Sequence, residues 1–285
     1  MRWRGRRQSE NVEDRRGSPG RRVALGGGGL GTIILIVLVL LGVIDPRALL
    51  QMGGGGGGAP APQNPAAQKQ NEELKNFVGV VLADTEDVWN EVFPNEFGRQ
   101  YEEPDLVLFT QSVNSGCGFA SSQVGPFYCP ADQKVYLDLG FFQELSQRFG
   151  APGDFAMAYV VAHEVGHHVQ NLTEQMARSK RGEAREGKNR MSVRLELQAD
   201  FLAGVWAHYG QKEKKFLEPG DIEEAINAAN QIGDDTLQRE AQGHVAPDSF
   251  THGTAAQRAR WFRRGFETGD LSIMDELFEM PYDEL

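Results

Sequence analysis

From Phe155 to Ala162 the chain reads Phe-Ala-Met-Ala-Tyr-Val-Val-Ala, apolar on every side, and runs without a break into His163, Glu164 and His167. Following Pro152-Gly153, with Asp154 as its N-cap, this stretch predicts a helix enclosed by protein. Enclosure is the constraint. A buried carboxylate with no compensating charge costs several kcal/mol or gives up its charge, so the polar residues of this helix need partners. Residues four apart share one helical face, so His163 and His167 can aim two ring nitrogens at one cation. Glu164, about 100° around the helix, flanks the same point. The pattern is HExxH, and zinc suits it. The competing reading is a core helix whose polar groups find ordinary hydrogen bonds. Three fixed residue types, two of them scarce, coincide by chance in roughly one chain in a hundred of this length.

A hydrolytic zinc site takes three protein ligands and keeps a fourth position for water. The extended pattern with Gly at 170 and His at 173 fails, because the chain has Gln170 and Thr173. The other solution is a Glu from a second helix. Arg194-Leu-Glu196-Leu-Gln-Ala-Asp200-Phe-Leu-Ala-Gly-Val-Trp206 supplies Glu196 and Asp200 four apart on one face. Glu196 is assigned to the metal. Asp200 is assigned to the far ring N–H of a ligand histidine, where it fixes the tautomer and raises the basicity of the ring; the sequence does not say which histidine, and His163 is the guess. The alternative for the pair is a solvated helix face. His252 precedes Gly253-Thr254, and Thr254 with Gln257 forms a capping box, so this histidine sits at the mouth of a helix. It is the candidate donor to a developing oxyanion, against the alternative of a surface loop histidine. His168 points off the metal face and His208 falls too far along the second helix; both read as structural or solvent-facing.

Further motifs extend the pattern: Met1-Arg-Trp-Arg-Gly-Arg-Arg-Gln-Ser-Glu-Asn-Val-Glu-Asp-Arg-Arg16, Gly125-Pro-Phe-Tyr-Cys-Pro130, Gln133-Lys-Val-Tyr-Leu-Asp138 and Ser249-Phe-Thr-His-Gly-Thr254. With His163–His168 and Glu196–Asp200, they make the chain resemble the bacterial neutral zinc metallopeptidases of the YpfJ type, which are membrane-anchored. The resemblance covers nearly all of the chain outside a Gly-rich linker and shows no departure at the metal positions. It implies a zincin-like fold and peptidase activity on a peptide or protein substrate. In that chemistry Zn2+ activates a water, and Glu164 takes its proton and passes it to the leaving amine.

Val23 to Ile44 is an uncharged span of 22 residues. At 1.5 Å per residue it reaches about 33 Å, enough for a hydrocarbon core of about 30 Å. Eight arginines against three acids precede it, so the expected topology is single-pass in the bacterial inner (cytoplasmic) membrane. The N-terminus is then cytoplasmic and the catalytic domain periplasmic or otherwise extracytoplasmic. A cleaved signal peptide is the competitor. The two cysteines, Cys117 and Cys129, fit one disulfide in such a compartment, with free thiols or metal ligation as alternatives.

The expected organisation is a basic cytoplasmic tail at 1–22, a transmembrane anchor at 23–44, a Gly/Pro/Ala-rich linker at 45–70 and a zincin-like catalytic domain at 71–285. The fold class is mainly α with a small β-sheet, α+β. Apolar spacing predicts a first helix from about Asn71 to Phe93, and strands over 105–110 and 134–139, the second edging the cleft where it can pair with an extended substrate. Tyr136 on that strand reads as packing. The charged stretch 173–190 reads as a solvated excursion, with a mobile flap as the alternative. Residues 219–230 and 254–268 read as helices, and the arginines 258, 260, 263 and 264 as a solvated, ion-paired face. Without residues 1–22 the chain holds 21 Lys and Arg against 37 Asp and Glu, or −16, which argues against nucleic acid as a partner. Two rival functions remain: a zinc hydrolase of a non-peptide substrate, and an anchored scaffold or binding protein with a structural metal.

Overall fold

The computed structural model describes residues 1–17 and 65–285. The expected membrane span at 23–44 lies outside them, and no helix among the described residues is long and apolar enough to cross a membrane. The architecture is mainly helical with a small sheet, the α+β class read from the sequence.

Strand β1 (Val12–Asp14) is followed, after the undescribed residues, by helix α1 (Pro65–Phe97) and strand β2 (Asp105–Phe109). Helix α1 buries Phe77, Val78, Val81, Leu82, Val88, Trp89, Val92 and Phe93, the residues whose spacing predicted it. It starts six residues before the predicted boundary, because Pro65 suits a first helical position and Ala66-Ala-Gln-Lys-Gln70 are good helix formers. Next come a hairpin, β3 (Ser112–Ser115) and β4 (Gly118–Ser121), then β5 (Phe127–Cys129) and β6 (Lys134–Asp138). The main sheet runs β1-β2-β6-β5, parallel from β1 to β6, with β5 antiparallel to β6. Leu106 to Phe109 and Val135 to Leu137 are buried on both faces, as central parallel strands are.

This topology corrects the reading of 134–139 as the cleft-edging strand. β6 is bonded on both sides, and the outer strand near the cleft is β5, too short for its apolar pattern to announce it. Cys117 in the hairpin turn is disulfide-bonded to Cys129 at the end of β5, with a Cα–Cα distance of 5.8 Å. Tyr136 packs as expected, stacked on Phe127 with ring centroids 4.8 Å apart.

The helical layer comprises α2 (Gly140–Gln147), α3 (Asp154–Leu172), α4 (Gln175–Glu186), α5 (Lys188–Lys214), α6 (Asp221–Gln231), α7 (Asp234–Gln242), α8 (Ala255–Thr268) and α9 (Glu276–Glu279). The apolar stretch forms α3, buried along almost its whole length, though an amide of its first turn is met by Glu224 rather than by a cap at Asp154: Phe155 N donates to the Glu224 carboxylate over 3.0 Å. Helix α8 lies along α5. They touch backbone to backbone at Gly204, where a Cβ would stand 2.1 Å from the Phe262 carbonyl oxygen. The capping box of Thr254 and Gln257 starts α8 as read from the sequence.

Two expectations are corrected here. The stretch 173–190 is no loose excursion: it is helix α4, and the second metal-bearing helix begins at Lys188. The face that α4 turns inward carries a single large apolar residue, Met176, and continues with the small Ser179 and Gly182 packed against Met191, so apolar spacing missed it. Nor do residues 1–17 form a separate tail. β1 is the outer strand of the main sheet, with Val12 opposite Leu106 and Asp14 opposite Leu108, and Trp3 meets Phe77 edge-on at 5.4 Å. Met1 is buried, its amino group between Asp154 and Asp221 at the starts of α3 and α6.

Candidate metal centre and active site

The two long helices α3 and α5 bring His163, His167 and Glu196 together, with one ligand atom from each within 4.8 Å of the others. Nε2 of His163 is 3.2 Å from one Glu196 oxygen and Nε2 of His167 is 3.6 Å from the other. Ligands about 2.0–2.1 Å from a tetrahedral zinc stand about 3.3 Å apart, so this nitrogen, nitrogen and oxygen donor set fits that ion.

Close approach of the helices is a sequence property. Gly166 lies inside the motif, and a Cβ there would come 2.9 Å from the Ala199 carbonyl oxygen, three residues on from Glu196. Gly166→Ala is therefore expected to force α3 and α5 apart. The strain costs about 1–3 kcal/mol and draws Glu196 away from the two imidazoles. Urea unfolding of the metal-free protein and zinc competition with a chelating dye would register both losses.

Each histidine is oriented from behind. Nδ1 of His163 is 2.8 Å from Asp200 Oδ1, so the histidine that Asp200 holds is His163. Nδ1 of His167 is 2.8 Å from the Gln170 side-chain oxygen, and Gln170 in turn donates to the Leu195 carbonyl and to Gln198. Asp200 is wholly buried and is satisfied from three directions: by His163, by the Tyr159 hydroxyl at 2.5 Å, and by Arg258, whose Nε and Nη2 donate over 2.8 and 3.1 Å. This corrects the reading of Arg258 as part of a solvated face; its side chain is buried.

The electrostatics follow from this packing. Burial alone would lower the His163 pKa, but the charge and hydrogen bond of Asp200, joined by Glu196, push it up to about 10. Burial would likewise lower that of His167, and the Glu196 charge raises it. For Glu196, burial works upward, and the His167 charge with the histidine hydrogen bonds outweighs it, holding the carboxyl well below its usual range. Carboxylate charge is thus concentrated where a dication would sit.

His163, Glu164, His167, Glu196 and His252 all line one cleft of about 600 Å³. Glu164 is almost buried, at 8 % exposure. His252 stands across the cleft on the loop before α8, about half-exposed. Nδ1 of His252 is 3.0 Å from Asp234 Oδ1, while the other Asp234 oxygen accepts the backbone N–H groups of Thr251, His252 and Gly253. Burial would lower the pKa of His252; the hydrogen bond to Asp234 and the charge of Glu196 raise it. Asp234 and Gln170 were missed from the sequence. Asp234 opens a helix after Gly233, which reads as an ordinary turn. Gln170 follows His167 by three residues on the same face, a usable signal. His168 and His208 are structural: His168 lies between the Tyr128 hydroxyl and the Glu102 carbonyl, and His208 meets the Phe266 carbonyl.

Comparison with known proteins agrees with the geometry. The family model described as "Putative neutral zinc metallopeptidase" matches residues 1–277. The uncharacterized protein YpfJ of Escherichia coli (strain K12) is 47 % identical over 291 residues, which cover 95 % of this chain and 96 % of that protein. The uncharacterized protein Rv2575 of Mycobacterium tuberculosis (strain ATCC 25618 / H37Rv) is 46 % identical over 198 residues, 66 % of this chain and 65 % of that one. No solved structure matches. With a family model spanning nearly its full length and a relative alike almost end to end, the chain belongs to this neutral zinc metallopeptidase family, whose cofactor is Zn2+.

Proposed function

We propose that the protein is a zinc-dependent peptidase that hydrolyses peptide bonds in the cleft between β5 and the helices α3 and α5. The observation that carries this reading is the meeting of two histidines and a glutamate, within 4.8 Å of one another, in a cleft that Glu164 and His252 also line. Bound zinc lowers the pKa of a water to about 7 and polarises a carbonyl. His163, His167 and Glu196 hold the ion, and Asp200 and Gln170 fix the rings. Glu164 accepts the proton of the attacking water and delivers it to the departing amine, serving as base and then acid. His252, with Nδ1 committed to Asp234, has Nε2 for the developing oxyanion. An extended substrate finds backbone partners along β5, which is paired only to β6 among the described residues. The disulfide supports a place in an oxidising compartment outside the cytoplasm.

Purified protein is expected to hold one zinc per chain and to cleave peptides from a mixed library, with activity lost to a chelator and restored by zinc. Absence of stoichiometric metal would sink this reading; hydrolysis confined to non-peptide esters or amides would redirect it. His252→Ala is expected to lower kcat about 10²–10³-fold with zinc content unchanged, as steady-state kinetics beside metal analysis would show.

A further inference from the structure

We infer that residues 1–17 are an integral part of the metal-bearing domain, and so lie on the same side of any membrane as residues 65–285. A chain with 22 uncharged residues at 23–44 and eight arginines before them invites the opposite conclusion, one part on each side. The packing of the described residues argues against that.

The strongest observation is Glu86. It sits in the middle of α1 and is 1 % exposed. Among the described residues, its carboxylate is met by the Ser9 hydroxyl, by Asn11 Nδ2 at 2.9 Å and by Arg7 Nη1 at 2.9 Å, all from the amino-terminal segment. Take that segment to another compartment, and a buried charge inside the domain loses every one of those partners. Asp84, two residues earlier and also buried, takes Arg6 at 2.6 Å alongside Lys214 at 3.1 Å.

Backbone pairing is the second observation. Leu106 N donates to Asn11 O and Arg15 N donates to Leu108 O, each over 2.8 Å, so β1 supplies partners to the edge of β2. Parallel strands of one sheet need a crossover between them, and here α1 returns the chain from β1 to β2. The sheet is begun by the segment that a single crossing would exclude.

Charge is the third. A rule that places basic flanks in the cytoplasm treats arginines as free. Arg4, Arg6, Arg7 and Arg16 are paired with Glu73, Asp84, Asp87 and Glu72 of α1. Their charge complements a strongly acidic domain, so the arginine count no longer assigns a side. Arg16 also donates to the Asn71 carbonyl at 3.2 Å, which keeps the chain leaving at Gly17 beside the chain re-entering at α1.

Two measurements on the full chain in native membranes test this. A Cβ built at Gly79 lies 3.5 Å from the Cβ of Gln8, within disulfide range. With a protease site inserted in the Gly tract at 53–58, the double variant Gln8→Cys/Gly79→Cys is expected to cross-link under mild oxidation. The two cleaved fragments then stay together until reduced. Should that variant fail to accumulate, single variants at two exposed carboxylates, Glu10→Cys and Glu240→Cys, are treated in intact spheroplasts with a membrane-impermeant maleimide. Labelling of both, or of neither until lysis, supports the inference. Labelling of one and protection of the other, or an accumulated double variant that cannot be cross-linked, overturns it.

Discussion

Glu164→Gln is expected to leave zinc bound at one per chain and to lower turnover about 10²–10⁴-fold, the range a positioned general base supplies. The two outcomes separate because Glu164 is not one of the three converging donors: those are His163, His167 and Glu196. The amide preserves the size of a nearly buried side chain and removes only its capacity to accept a proton. The loss therefore falls on kcat, with KM little changed. A 100-fold drop corresponds to about 2.7 kcal/mol of lost transition-state stabilisation. A protein keeping the ion only for structure predicts the reverse, with cellular function indifferent to the change. Steady-state peptide hydrolysis beside metal analysis decides, and undiminished turnover in the variant would remove Glu164 from the mechanism.

How much of this was legible depended on whether a residue announces its surroundings. The metal helix did, because eight apolar residues leading into HExxH admit one environment, and Glu196 and Asp200 followed from needing a third ligand and a carboxylate behind a histidine. The capping box at Thr254 was readable because its chemistry is local, and the disulfide because two cysteines admit a single pairing. β1 was not legible, since Val12-Glu-Asp14 offers one apolar residue and an outer strand needs no more. Helix α4 hid because its inward face offers one large apolar residue, Met176, and is otherwise small. Arg258 was the instructive miss. Arg258, Trp261, Phe262 and Gly265 are all buried, and their spacing of three, four and seven is that of a helix face turned inward. Reading charge before position sent the arginine to the surface. A cation on that face asks for a buried anion, and Asp200 is it.

The second large effect follows from that pair. Arg258→Met is expected to cost about 3–5 kcal/mol of stability, the usual penalty for stranding one member of a buried ion pair. It is also expected to weaken zinc binding about 10–100-fold, as loss of support behind a ligand does. The two are linked through Asp200, which has 0 % exposure and shares its oxygens among Arg258, His163 and Tyr159. Without the guanidinium, the carboxylate must either remain charged with one cation fewer or take up a proton, and a protonated Asp200 no longer pulls on the His163 ring. Burial acting alone would raise the Asp200 pKa; the charges of Arg258 and then His163 bring it down to about 2 from an ordinary 3.8. A depressed carboxyl contributes stability that is present above its unfolded value and lost as pH falls through the folded one, here between 3.8 and about 2. In the variant that loss begins at higher pH, so the acid-unfolding midpoint of the metal-free protein moves upward. Arg258→Lys restores the charge but not the two-pronged contact, and is expected to fall between wild type and Met. Asp200→Asn combined with Arg258→Met removes both charges at once, so the double variant loses less than the sum of the single changes. Urea midpoints and zinc competition across wild type, Asp200→Asn, Arg258→Met and the double variant measure that coupling. Strict additivity, or an Arg258→Met protein with unaltered zinc affinity, would separate Arg258 from the metal centre.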